Sequence, residues 1–118
     1  MAGTRQLAAI VSSEIDGYTT LVQQDEPKAA ELKKRYRELL ARLAETFHGK
    51  IYQNNASDSL SLFTSAVEAV QCAIEMQRAF REEPAVPVKI GIHLGDIMFT
   101  EEEAYGDSIQ VARQMRSQ

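Results

Sequence analysis

Two carboxylates and a glycine follow directly on an apolar run near the start of the chain: Leu7-Ala8-Ala9-Ile10-Val11 leads into Ser12-Ser13-Glu14-Ile15-Asp16-Gly17-Tyr18. The run is short and β-branched, so it reads as a buried strand, and the acidic residues then fall where a strand ends and a helix begins. Carboxylates at such a place are natural ligands for hard cations. The unpaired N–H groups of a helix start favour anions. On residue type alone a plainer reading is favoured, with Glu14 and Asp16 as solvated strand-end groups and Asp58, farther along, as a turn former, because clustered carboxylates mark sites only statistically.

The elements that must position these residues can be read in order. Gly17 to Gln24 reads as a short helix or turn, and Asp25-Glu26-Pro27 is a helix-start signal. Leu32, Tyr36, Leu39, Leu40, Leu43 and Phe47 recur at steps of three and four, which gives an amphipathic helix ended by His48-Gly49. Lys50 to Asn54 and Leu60 to Phe63 form two strands around the turn formers Asn55-Ala56-Ser57-Asp58-Ser59, with Asp58 at the tip. Ser65 and Glu68 make a capping-box pattern for a helix whose core face is read as Ala66, Val70, Ala73, Ile74, Gln77 and Phe80. Glu82 to Pro87 breaks it. Val88 to Leu94 is a strand, Gly95-Asp96 a tight turn, Ile97-Met98-Phe99 a returning strand, and Ser108 to Met115 a last helical segment. The order β-α-α-β-β-α-β-β-α contains the ferredoxin-like βαββαβ pattern. The expected fold class is therefore α+β, a mostly antiparallel sheet with helices on one face.

At 118 residues, 44% hydrophobic and 25% charged, the chain is read as one domain, residues 1–118, with a single core. Net charge is −4, so no electrostatic footprint for nucleic acid is present. The run Lys33-Lys34-Arg35-Tyr36-Arg37 sits among Glu31, Glu38 and Glu45 and reads as a solvated helix face. Cys72 lies within an apolar helical pattern as a core residue, the methionines are core filler, and His93 is a packed strand residue. His48 is a helix-end cation. No apolar run approaches the ~20 residues of a membrane span and the N-terminus does not fit a signal peptide, so a cytoplasmic setting is expected.

Several motifs stand in register: Ile10 to Thr20, Ser57-Asp58-Ser59, Lys89 to Ile97 with its Lys-Ile-Gly-Ile-His-Leu-Gly-Asp, and Tyr105-Gly106-Asp107. In order and spacing they resemble the class III nucleotidyl cyclase catalytic domain of adenylate and guanylate cyclases. The resemblance implies the same fold independently. It also implies further strands beyond Gln118, so the chain is expected to be a fragment or a shortened version.

The family's reaction is in-line attack of a ribose 3′ oxygen on the α-phosphate of a nucleoside triphosphate, assisted by two divalent cations. The resemblance places the metal carboxylates at Glu14 and Asp58, with Mg or Mn as the cofactor, and the phosphates at the helix start by Gly17. The family's first metal residue is Asp; Glu is one methylene longer, and a misplacement of ~1 Å can cost about 10²-fold in rate. Asp16 adds a carboxylate where the family is usually apolar, with nothing cationic in the local segment to offset it. Ser57 and Ser59 replace the glycines that flank the hairpin Asp, where positive φ is wanted. The base-selecting positions fall on Asn54, an uncharged donor, and Glu103, an acceptor.

In the last helix the family carries an Asn that positions the ribose and, one turn later, an Arg that stabilises transition-state charge. These catalytic positions fall on Gln110 and Gln114. A neutral amide cannot replace a guanidinium, and Arg113, one residue off, is rotated by about 100° on a helix. The resemblance therefore implies a degenerate cyclase homology domain: a regulatory, nucleotide- or cation-binding and dimerisation module, with an active adenylate cyclase as the alternative. ATP is the implied ligand. The implied partner is a second cyclase domain, in a homodimer or heterodimer assembled head to tail.

Overall fold

Apolar alternation along the strands and three-four spacing along the helices produce a two-layer sandwich. The computed structural model describes residues 4–54, 57–99 and 104–105. Chain order is β1 (Thr4–Ile15), α1 (Tyr18–Gln24), α2 (Glu26–Thr46), β2 (Lys50–Asn54), β3 (Asp58–Phe63), α3 (Ala66–Arg81), β4 (Val88–Phe99) and β5 (Ala104–Tyr105). The sheet order is β2-β3-β1-β4-β5 and every paired neighbour is antiparallel. The expected ferredoxin-like α+β arrangement is the observed one, with β1 central. The last helical segment expected from the sequence, residues 108–115, lies outside the described residues.

The helices lie on one face of the sheet. Ala9, Val11 and Ile15 of β1 and Phe63 of β3 meet Leu32, Tyr36, Leu39 and Leu40 of α2 and Ala69, Cys72, Met76 and Phe80 of α3 in one buried cluster. The other face carries a smaller cluster of Ala8, Ile10, Leu60 and Leu62. Because successive strand residues alternate between faces, Glu14 lies on the face of Ile10, away from the helices.

Local signals account for the helix ends. The Asp25 side chain accepts a hydrogen bond from the Lys28 N–H at 3.2 Å, with Pro27 in the first turn of α2. The Ser65 hydroxyl accepts from the Glu68 N–H at 3.2 Å at the start of α3. The Glu68 carboxylate reaches His48 Nδ1 at 2.6 Å, so the end of α2 is latched to the start of α3. Arg35 is not simply solvated; its guanidinium donates to the Ala79 carbonyl at 3.3 Å near the C-terminal end of α3.

Four sequence expectations are corrected. Gly95-Asp96 is not a turn: β4 runs unbroken from Val88 to Phe99, in register with all of β1 from Thr4↔Phe99 to Ile15↔Val88. A twelve-residue partner strand supplies hydrogen bonds along the whole length and overrides the local turn signal. The buried stripe of α3 is Ala69, Cys72, Ala73, Met76 and Phe80, while Val70 and Ile74 are exposed. The helix carries two apolar stripes, and the one that holds Met76 and Phe80 is buried against the core. Asp58 is not a turn-tip residue but the first residue of β3.

The last correction concerns the end of α2, where the positive φ belongs to His48 (63°), not to Gly49. Gly49 is required for space: a Cβ there would meet Phe63 Cε2 and Cζ at 2.5 Å, and Phe63 is buried. Gly49→Ala is expected to cost about 1–3 kcal/mol by overpacking, read from the denaturation midpoint.

Burial of Cys72 pushes its thiol up from 9.0 to about 11. The folded protein is expected to resist thiol reagents at pH 8 and to react on unfolding. The unfolded thiol ionises from about pH 9, so the unfolded state binds fewer protons above that pH. Stability is then lost as pH rises from 9 toward 11, checked by denaturation at the two values.

Candidate functional site

Glu14 and Asp58 are far apart in sequence and directly opposite in the sheet: in the β1/β3 register Glu14 pairs with Asp58 and Ser13 with Ser59. Directly opposed residues point to the same face with Cβ atoms about 4.5–5.5 Å apart. On its other side Glu14 is opposite Lys89 of β4. One row across three strands therefore reads Asp58, Glu14, Lys89, at the sheet end from which α1 departs. The strand ends are tied together there, with the Ile15 N–H donating to the Ser57 carbonyl at 2.7 Å and the Asp16 N–H to the Pro87 carbonyl at 2.9 Å.

Asp16 behaves differently from the expectation. Its carboxylate is not uncompensated: Lys89 Nζ stands 3.6 Å from Asp16 Oδ1, with both side chains about half exposed. The cation comes from β4, seventy-three positions on, where a reading of the local segment could not see it. At this distance and exposure the pair is weak and readily exchanged. Among the described residues no group of three His, Cys, Asp or Glu side chains is placed to hold a metal, so Asp16 does not join Glu14 and Asp58 as a third ligand. Two carboxylates still fit Mg²⁺ or Mn²⁺, because such ions keep several waters and take one or two carboxylates together with substrate phosphates.

Gly17 has φ 72° and ψ 18°, and a Cβ there would meet nothing within 4 Å. The left-handed backbone, not crowding, demands glycine at this corner. It leads into α1, a helix of only seven residues. Ser57 and Ser59 need no positive φ, since among the described residues His48 is the non-glycine that adopts it. Ser59 is instead buried on the helix side, its hydroxyl 2.8 Å from that of Ser13 and 2.9 Å from that of Tyr36. Asn54 ends β2 opposite Ser59, one rung from Asp58. Glu103, Gln110 and Gln114 lie outside the described residues.

Lys89 is the functional candidate the sequence reading missed. The Lys-Ile-Gly-Ile-His run shows a strand, but only its register with β1 shows that the lysine faces Glu14. An open cavity of about 360 Å³ adjoins Asp16 and is lined also by Gln77, Arg81 and Val88. Val88 pairs with Ile15 of the buried core, so this cavity lies on the helix side and is separate from the Asp58, Glu14, Lys89 row.

No family model matches the chain. The chain is 32% identical over 121 residues to the Rhizobium meliloti (strain 1021) protein named "Putative adenylate cyclase 3", covering 96% of this chain. It spans 21% of that protein's length. The crystal structure of an adenylate/guanylate cyclase/hydrolase from Silicibacter pomeroyi superposes with a TM-score of 0.86 at 29% identity, over 98% of this chain and 72% of that one. The guanylyl cyclase Cya2 shares the fold, with a TM-score of 0.85 at 22% identity over 99% of this chain and 72% of that one. The fold is that of a nucleotidyl cyclase-like domain. With the sequence likeness, the chain is a cyclase homology domain of the class III adenylate and guanylate cyclase type. No described helix is long and apolar enough to cross a membrane.

Proposed function

We propose that this domain is a regulatory module of cyclic nucleotide signalling that binds a divalent cation with a nucleoside triphosphate, ATP first among them, and dimerises with a second cyclase domain while its own chemical step is impaired. The observation that carries the reading is the Glu14/Asp58 pair, directly opposed across β1 and β3 with Lys89 next in the row. The two carboxylates would hold the cation, Mg²⁺ or Mn²⁺. When bound, such an ion lowers the pKa of an attacking hydroxyl and neutralises phosphate charge. Lys89 provides a positive group for phosphate oxygens, and the weak Asp16 contact yields it readily. Gly17 leaves the approach open, with no side chain over the corner. Asn54 and Glu103 serve the base by hydrogen bonding.

Impairment is supported by Gln110 and Gln114, which stand where the resemblance places a ribose-binding Asn and a transition-state Arg. Removing a preorganised charge of that kind typically costs 10²–10³ in rate. In a head-to-tail pair this chain supplies Glu14 and Asp58, and an intact partner supplies the Asn and Arg. The alternative, an active adenylate cyclase forming cyclic AMP and diphosphate, is favoured by the same carboxylate pair.

Calorimetric titration with a non-hydrolysable ATP analogue and Mn²⁺ tests the binding, with Asp58→Ala as the comparison. Saturable heat that disappears in the variant is the expected result. No heat at millimolar analogue from a folded chain would overturn the nucleotide reading. Cyclic AMP made by the isolated chain and lost in Asp58→Ala would replace impairment with the active alternative.

A further inference from the structure

One rung behind the carboxylate pair, three hydroxyls close on one another inside a mostly apolar layer. Ser13 Oγ lies 2.8 Å from Tyr36 Oη and 2.8 Å from Ser59 Oγ; Tyr36 Oη donates to Ser59 Oγ at 2.9 Å and toward the Ser13 carbonyl oxygen at 3.2 Å. All three residues are buried, at 0% to 2% exposure. The cluster joins the residue before Glu14 to the residue after Asp58, and α2 to both strands. The Tyr36 ring is itself held, 5.7 Å from that of Phe80 on α3.

We propose that Tyr36, acting through Ser13 and Ser59, is a positioning residue that sets the separation of the Glu14 and Asp58 carboxylates for a divalent cation. The inference rests on the cation-binding reading above. Its physical basis is register. A buried hydroxyl left without a hydrogen bond is costly, and an apolar trio of similar shape would hold the layers together as well, so polar groups here add uniqueness more than stability. Ser13 and Ser59 satisfy each other when they are opposite, and that alignment places Glu14 opposite Asp58. A slip of one residue would turn one carboxylate into the helix layer and strand the serine hydroxyls. The Tyr36 hydroxyl fastens the aligned pair to α2, so thermal shear between β1 and β3 at this end is resisted by a third element. A Gly at position 59 would leave the Tyr36 and Ser13 hydroxyls without this partner.

The test measures Mn²⁺ affinity of the full chain by electron paramagnetic resonance for wild type, Tyr36→Phe, Ser59→Ala and the double variant, with Leu40→Val as a control. Leu40 is buried on the same helix and carries no hydroxyl, so its variant loosens packing without removing a member of the cluster. Outer partners that orient metal-binding groups typically carry 10–100-fold in affinity, and Tyr36→Phe and Ser59→Ala are each expected to weaken Mn²⁺ binding about 10-fold. The double variant should weaken it by much less than the product of the two, since both break one unit. Leu40→Val should lower the melting temperature and leave the affinity unchanged. Wild-type affinity in both hydroxyl variants would overturn the inference, as would an equal loss in the Leu40 control. A wild-type chain that binds no Mn²⁺ would overturn the cation-binding reading first and this inference with it. Should Tyr36→Phe fail to fold, Ser59→Ala carries the same comparison alone.

Discussion

Phe80→Ala is expected to remove about 3–5 kcal/mol of stability, the range for truncating a buried aromatic side chain. Phe80 is 2% exposed and lies in the main core cluster, with its ring tilted 30° against Tyr36. It closes α3 against α2, and its carbonyl accepts the Val86 N–H at 2.8 Å where the chain turns toward β4. Neighbours that could fill the space are held by helix geometry on both sides, so a cavity remains. Native domains have about 5–15 kcal/mol in all, which makes the loss a large share of the total. Urea denaturation would show the midpoint falling with its slope unchanged, and the melting temperature dropping by roughly 10–20 °C. A loss below about 1 kcal/mol would mean that the α2/α3 contact is not a keystone of the core.

Asp58→Asn is expected to abolish stabilisation by divalent cations while leaving the fold intact. Asn keeps the shape of Asp at the start of β3 but replaces one acceptor oxygen with an amide donor and withdraws one of the two charges that face each other across β1 and β3. A cation that binds only the folded state at a hundred times its dissociation constant stabilises it by about 2.7 kcal/mol. Melting curves of the wild type should rise with Mn²⁺ and those of Asp58→Asn should not. Glu14→Gln should do the same, because a single carboxylate with Lys89 beside it in the row is a poor cation ligand. Equal shifts in wild type and both variants would place cation binding elsewhere on the chain.

The two expectations differ in how far the sequence could anticipate them. Phe80 was legible as a core residue from helical spacing, and so were Tyr36, Leu39 and Leu40. The stripe that accompanies Phe80 was not, because α3 offers two apolar stripes and periodicity cannot choose between them. The sheet chose, admitting Ala69, Cys72 and Met76 and leaving Val70 and Ile74 outside. Glu14 and Asp58 are read as a pair through the family's motifs, while their standing directly opposite one another is a matter of strand register. Lys89, its contact with Asp16, and the hydroxyl cluster were not legible.

What the sequence determined by itself was therefore the set of elements and their types. Strand alternation, helical spacing, the Asp25 and Ser65 caps and the β-α-α-β-β-α-β order are local, carried by residues within a few positions of one another. What only the tertiary structure decided was which residues meet across strands. The Gly95-Asp96 pair became strand because β1 was long enough to hold it, and Gly49 was needed because Phe63 fills the space above it. Lys89 reached Glu14 and Asp16 because β4 lies beside β1 in a single register. Cross-strand register is the sum of many backbone hydrogen bonds and of burial on one face, so no single residue encodes it, yet it sets every distance at the site.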